Sequence, residues 1–277
     1  MSTSWRETGD PSRTGYGRAL SLLQCRTVRR PAAKRNLRTI LGGLAVVVAV
    51  SGSAPPWPPF LPARDTFPPD LALSVERVWT DPTLSRTVRG RPASVPFDTY
   101  VAFVDAPDVT TAAARFLKLA RYRVKALAAD WYEADDSDGS HGIYRILLRE
   151  PRRRVVLSWG EHHGGILGAI GGSALTVIDL RERDGVVDQE LSAYVRIDNA
   201  FAAALARLLL PIFGHLADRK LSEGFGVTAK VAEWALAHPG HFCAWLRREP
   251  LPSERREPLL QALPACRATD QLSPPDS

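Results

Sequence analysis

Residues 186–197 alternate with a period of two. Leu191, Ala193, Val195 and Ile197 interleave with Glu190, Ser192, Tyr194 and Arg196. Successive strand side chains point to opposite faces, so this run describes a strand with one buried face. Asp184-Gly185 stands just before it. That dipeptide accepts the left-handed backbone of a two-residue hairpin turn. Residues 173–181 therefore pair antiparallel with 186–197.

The same signals continue upstream. In 154–159, Val155, Leu157 and Trp159 share a face, and in 142–149 Tyr144, Ile146 and Leu148 do so. Glu150-Pro151-Arg152 and the acidic stretch 135–139 read as turns. Residues 122–132 are a further strand, and 94–104 read as the first one. Asp105-Ala106-Pro107-Asp108 ends that first strand, and either aspartate can cap a helix. In the Ala-rich run from Val109 to Leu119, the apolar positions Val109, Ala113 and Phe116 repeat at helical spacing and reach Ala120. After the sheet, Asp198-Asn199 opens a long helix. Its stripe runs through Leu205, Leu209, Ile212, Leu216, Leu221 and Phe225 almost to Pro239, with a kink expected at Pro211.

The net charge of +6 is concentrated at one end. Residues 1–38 carry nine cations and two anions, which leaves the rest of the chain near neutrality. Nucleic-acid binding needs a basic face on the folded part, so nucleic acid is not an expected partner. Residues 39–54 are uncharged and apolar, preceded by Arg35 and Arg38 and followed by Pro55 and Pro56. Sixteen helical residues span about 24 Å, between a signal-peptide core and a full membrane crossing of roughly 30 Å. The segment reads as a transmembrane or signal segment, with the basic flank in the cytoplasm and the folded domain outside it or exported.

The organisation that follows has five parts: a disordered basic tail (1–38), the membrane or signal segment (39–54), a proline-rich linker (55–71), a folded domain (72–245) and a disordered tail (246–277). Three cysteines, Cys25, Cys243 and Cys266, form no CxxC pair and give no zinc spacing. Cys243 and Cys266 either pair in an oxidising compartment or remain free thiols.

The order of strand, Val104-Asp105-Ala106-Pro107-Asp108-Val109, helix, antiparallel series and long final helix opened by Asp198 resembles the START-like helix-grip superfamily over residues 94–238. This superfamily includes polyketide cyclase/dehydratase-like and lipid-transfer proteins. The resemblance implies an α+β fold in which a curved antiparallel sheet grips a long C-terminal helix around an apolar cavity. It implies a lipid or other hydrophobic small molecule as ligand. From the residues themselves no cofactor and no metal is expected.

Leu157, Trp159, Ala193 and Val195, with Ile212 and Leu216 from the helix, are the expected pocket residues. Glu161-His162-His163 is the best cluster for acid/base chemistry, although neighbouring strand residues cannot both enter one cavity. The glycine-dense run 164–172 reads as a flexible apolar loop at the cavity mouth. The expected function is a membrane-associated or exported, non-catalytic binding protein. A cyclase/dehydratase-like enzyme using Glu161, His162 or His163, and an envelope protein-interaction module, are the alternatives.

Overall fold

The computed structural model describes residues 57–164, 168–200, 202–204 and 224–270. The basic tail, the apolar segment 39–54, Ile212 and Leu216 lie outside the described residues. Among the described residues, no helix is long and apolar enough to cross a membrane.

Helix α1 (Pro69–Thr80) comes first, followed by strand β1 (Leu84–Arg89) and helices α2 (Phe97–Asp105) and α3 (Pro107–Phe116). A six-strand meander follows: β2 (Arg123–Ala128), β3 (Trp131–Asp135), β4 (Ser140–Glu150), β5 (Arg153–Gly164), β6 (Gly168–Arg183) and β7 (Val186–Ile197). Residues 224–237 form α4. Helices α5 (Pro239–Arg248), α6 (Ser253–Ala262) and α7 (Pro264–Asp270) follow. The seven strands form one antiparallel sheet in the order β1-β7-β6-β5-β4-β3-β2. At the β6–β7 hairpin Asp184 and Gly185 both have positive φ, 53° and 74°, as the sequence requires.

One strand is misplaced by the sequence reading. Residues 94–104 do not form the first strand. Pro96 precedes a helix instead, and Thr99, Tyr100 and Phe103 are buried at helical spacing. A short apolar run has no distinguishing period, so strand and helix compete on equal terms there. The first strand is Leu84–Arg89, which pairs with β7 at the far edge. A strand, helices, a meander and C-terminal helices still follow in that order, but Val104–Val109 lies at the junction of α2 and α3 and not between a strand and a helix. Residues 122–132 likewise split into two strands, with a register shift between Ala126 and Ala128.

The register sorts the sheet into two faces. On the inner face, Ile178, Leu180 and Val187 pack against α2, α3 and the C-terminal helices. On the outer face, Val155, Leu157, Leu175 and Val177 pack against Leu71, Val75 and Val78 of α1. Trp57, Phe60, Leu61 and Phe67 join that outer cluster. Residues 57–71 are therefore part of the folded unit and not a free linker. Their aromatic side chains recover more by burial than a proline-rich strand loses in solvation.

The expected disordered tail from 246 also differs. Its residues up to 270 are mostly helical, with Leu259, Leu260, Leu263 and Cys266 buried. Cys266 is joined to Cys243 by a disulfide. Sparse apolar residues carried no periodic signal in the sequence, and long-range contacts supply what local pattern lacks. Where a long helix is expected after residue 198, residues 202–204 form a helical stretch, and 205–223 lie outside the described residues. Asn199 caps that stretch, its Oδ1 accepting the Ala202 N–H at 3.0 Å.

Candidate functional site

Three glycines stand side by side on the inner face: Gly142 on β4, Gly160 on β5 and Gly172 on β6. A Cβ at Gly142 would lie 2.5 Å from the Trp159 carbonyl oxygen. At Gly160 it would lie 2.8 Å from that of His141, and at Gly172 2.7 Å from that of Arg196. Backbone approaches here too closely for any side chain, a pattern that marks a sharp bend in a sheet. The absent side chains leave open space above the stripe.

That space is a trough of about 610 Å³. Ala134, Tyr144, Ala174, Val195 and Ile197 line it, all on the inner face by register, together with Tyr122 from the approach to β2. A second space of about 330 Å³ lies beneath the α2–α3 junction and shares Tyr144 and Ser158 with the trough. Val156, Thr176 and Ile178 line it. The two run along the inner face from His162 at one end to Arg154 at the other.

Arg154 is buried and fully engaged. Its Nε and Nη2 donate to the two Asp105 oxygens at 2.6 and 2.7 Å, and its Nη1 donates to the Glu150 carbonyl and to that of Arg153 at 3.0 Å. Asp105 also accepts from Arg149 at 2.7 Å. Asp105 thus closes the deep end of the cavity as an ion pair and does not cap a helix. Asp108 is likewise paired, with Arg255.

The other end is polar. Ser140 Oγ lies 3.0 Å from His162 Nδ1. The Asp136 carboxylate accepts the Ser140 and Asp138 N–H groups, each at 2.8 Å. Burial works to raise the Asp136 pKa, but the Ser140 and Asp138 hydrogen bonds and nearby His162 outweigh it and hold it below the usual carboxylate range. Burial pushes the Tyr122 phenol up, and pushes that of Tyr144 far up.

The strand alternation divides the Glu161-His162-His163 cluster. By register His162 faces the trough, whereas Glu161, which also borders it, and His163 point to the opposite face, with His163 Nε2 2.9 Å from Glu161 Oε1 and both well exposed. The expected pocket residues also divide. Val195 lines the trough. Ala193 faces the same way but is sealed against Phe225, at 2% exposure. Leu157 is buried in the outer cluster, and Trp159 packs at its edge with its ring stacked on Trp131 at 5.9 Å. By register both side chains point to the outer face, although Trp159 also borders the trough. Both faces of this sheet are covered, so apolar parity alone does not say which one holds a pocket. Gly168–Gly172 belong to β6 and not to a loop. The sequence signal overlooked was the trio of glycines at strand positions 142, 160 and 172, together with Tyr122, Tyr144 and Ser158.

No protein-family model matches this chain, and no curated protein matches it. Solved structures similar to it include a conserved protein from Geobacillus kaustophilus, at 18% identity over 55% of this chain and 93% of that one, with a TM-score of 0.38. Another is the di-domain ARO/CYC BexL from the BE-7585A biosynthetic pathway, at 16% identity over 59% of this chain and 54% of that one, with a TM-score of 0.37. A third is Ara h 8.0201, at 11% identity over 56% of this chain and 99% of that one, with a TM-score of 0.35. The seven-stranded antiparallel sheet followed by C-terminal helices is consistent with the helix-grip architecture expected from the sequence.

Proposed function

We propose that this chain binds a hydrophobic small molecule or lipid along the inner face of its sheet and carries out no chemistry on it. One observation carries the reading: three facing strands place glycine at the same level, and the space they leave is walled by apolar side chains. Ligand sites are mostly apolar hollows with a few polar groups to fix orientation. Here the polar groups include His162, Ser140 and Ser158, with Asp135 and Asp136 at the polar end.

Ala174→Trp tests this. Ala174 lines the trough between Ser158 and Val195, and an indole there fills it. Native mass spectrometry of the full-length chain should show a bound lipid in the wild type and none in the variant. Equal lipid content in both, with both folded by circular dichroism, rejects the site.

A second reading has one specific observation in its favour. His162 is the member of its cluster that faces the cavity by strand register, and it is hydrogen-bonded to Ser140. A histidine so placed can move a proton in a cyclase/dehydratase-like reaction. Comparing the small molecules recovered from wild type and His162→Gln decides between the two. A mass difference of one water supports the enzyme; identical masses support the carrier.

The proposed location is outside the cytoplasm, with residues 39–54 as anchor or signal. The paired Cys243 and Cys266 support an oxidising compartment, since cytoplasmic thiols stay reduced. Alkylation of whole cells with and without reductant tests it; labelling of both cysteines without reductant would reject it.

A further inference from the structure

The trough contains two phenols that the protein leaves without a hydrogen bond. Tyr144 projects from the middle of β4 and lines both parts of the cavity, and Tyr122 lines the trough near its polar end. Among the described residues neither hydroxyl has a hydrogen-bond partner, and neither is sealed from access. Their neighbour Tyr132 shows the contrast: its hydroxyl accepts from Arg255 at 3.1 Å and from Arg149 at 3.4 Å. Burial favours the protonated phenol, so both hydroxyls remain donors. Both tyrosines are half-buried with accessible hydroxyls, so a ligand acceptor can reach them and gain a hydrogen bond there.

The charges around the trough restrict the acceptor. Among the described residues no lysine or arginine lines it, while Asp135, Asp136 and Glu161 do. Arg154 at the deep end is already neutralised by Asp105 and its donors are directed at oxygens of the protein. A carboxylate or phosphate placed here would lose its hydration and gain no cation in return.

Building on the carrier reading above, we infer that the ligand is an uncharged amphiphile whose carbonyl, ester or hydroxyl oxygen accepts hydrogen bonds from Tyr144 and Tyr122. Its apolar body lies over Gly142, Gly160 and Gly172. Fatty acids and anionic phospholipids are thereby disfavoured, and neutral ketones, esters and alcohols are favoured. The donors supply orientation along the trough, and the glycine stripe supplies the room.

Three probes of similar length separate these ideas: hexadecane, 2-heptadecanone and palmitate, each offered to the full-length chain and read by native mass spectrometry. The wild type should retain 2-heptadecanone and hold palmitate at least about tenfold more weakly. Tyr144→Phe should weaken the ketone by about three- to tenfold and leave hexadecane unchanged. Tyr122→Phe should act in the same direction, and provides a second reading if the first variant folds poorly. Palmitate bound as tightly as the ketone overturns the inference, as does ketone binding unaltered in both variants. If none of the three probes binds the wild type, the carrier reading itself falls. Equal uptake of hexadecane and ketone, with no effect of either variant, leaves the carrier and removes only the acceptor.

Discussion

Asp108 on α3 and Arg255 on α6 meet in a two-point ion pair, with Arg255 Nη2 2.5 Å from one carboxylate oxygen and Nε 2.9 Å from the other. The same Nη2 reaches the Tyr132 hydroxyl at 3.1 Å, so one guanidinium joins the C-terminal helices to the first helices and to the sheet. Its hydrogen bonds to Asp108 raise the Arg255 pKa, and burial opposes them. Asp108 is 5% exposed. Removing one partner of such a pair strands the other charge. Asp108→Ala is therefore expected to lose about 3–5 kcal/mol of stability, and Asp108→Ala/Arg255→Leu to lose less. Chemical denaturation of the single and double variants measures both. A double variant as unstable as the sum of the two singles would contradict the coupling.

Leu157 and Trp159 belong to the outer face. Leu157→Ala is expected to cost about 2–5 kcal/mol by opening a cavity against α1. Trp159→Ala should weaken ligand uptake far less than Ala174→Trp, because by register its side chain points to the face opposite Ala174 and stacks on Trp131. Loss of bound lipid in Trp159→Ala with the fold intact would place the site on the wrong face of the sheet.

At Gly160 an added methyl group meets the backbone of β4, which cannot rotate away. Gly160→Ala is expected to destabilise by about 1–3 kcal/mol and to distort the trough floor. Gly240→Ala, where a Cβ meets nothing, should be neutral or mildly stabilising. Thermal melts of the two variants side by side provide the comparison.

The Cys243–Cys266 bridge spans 23 residues and closes a loop through α5, α6 and α7. Replacing both cysteines with serine is expected to cost about 3 kcal/mol by the loop-entropy estimate. Hydrogen exchange should show the loss first in α6 and α7. Uniform loss of protection across the sheet would mean that the bridge supports more than its own helices.

The Asp136 carboxylate has its pKa depressed in the folded state. A depressed carboxylate adds stability above its unfolded pKa, and that stability disappears as pH falls through the lower folded value. The β3–β4 turn should therefore hold at neutral pH and loosen only below the ordinary carboxylate range. Amide exchange at Asp138 and Ser140, whose N–H groups Asp136 accepts, reads this across an acid titration. Asp136→Asn should abolish the pH dependence in that turn.

What the sequence alone determined about this protein is the meander. Strict alternation in 186–197, the Asp184-Gly185 turn and the apolar faces of 142–149, 154–159 and 173–181 are local signals, and each needs only neighbouring residues to be read. The division of Glu161, His162 and His163 between faces followed from the same alternation. Only the tertiary structure decided which face holds the cavity. β5 presents Val155 and Leu157 to one side and Val156 to the other, and α1 with residues 57–67 covers the first. Burial on both sides erases the contrast that parity depends on. The same holds for Asp105 and Asp108. Next to a helix start they read as caps, and their arginine partners lie 49 and 147 residues away, beyond the reach of any local pattern.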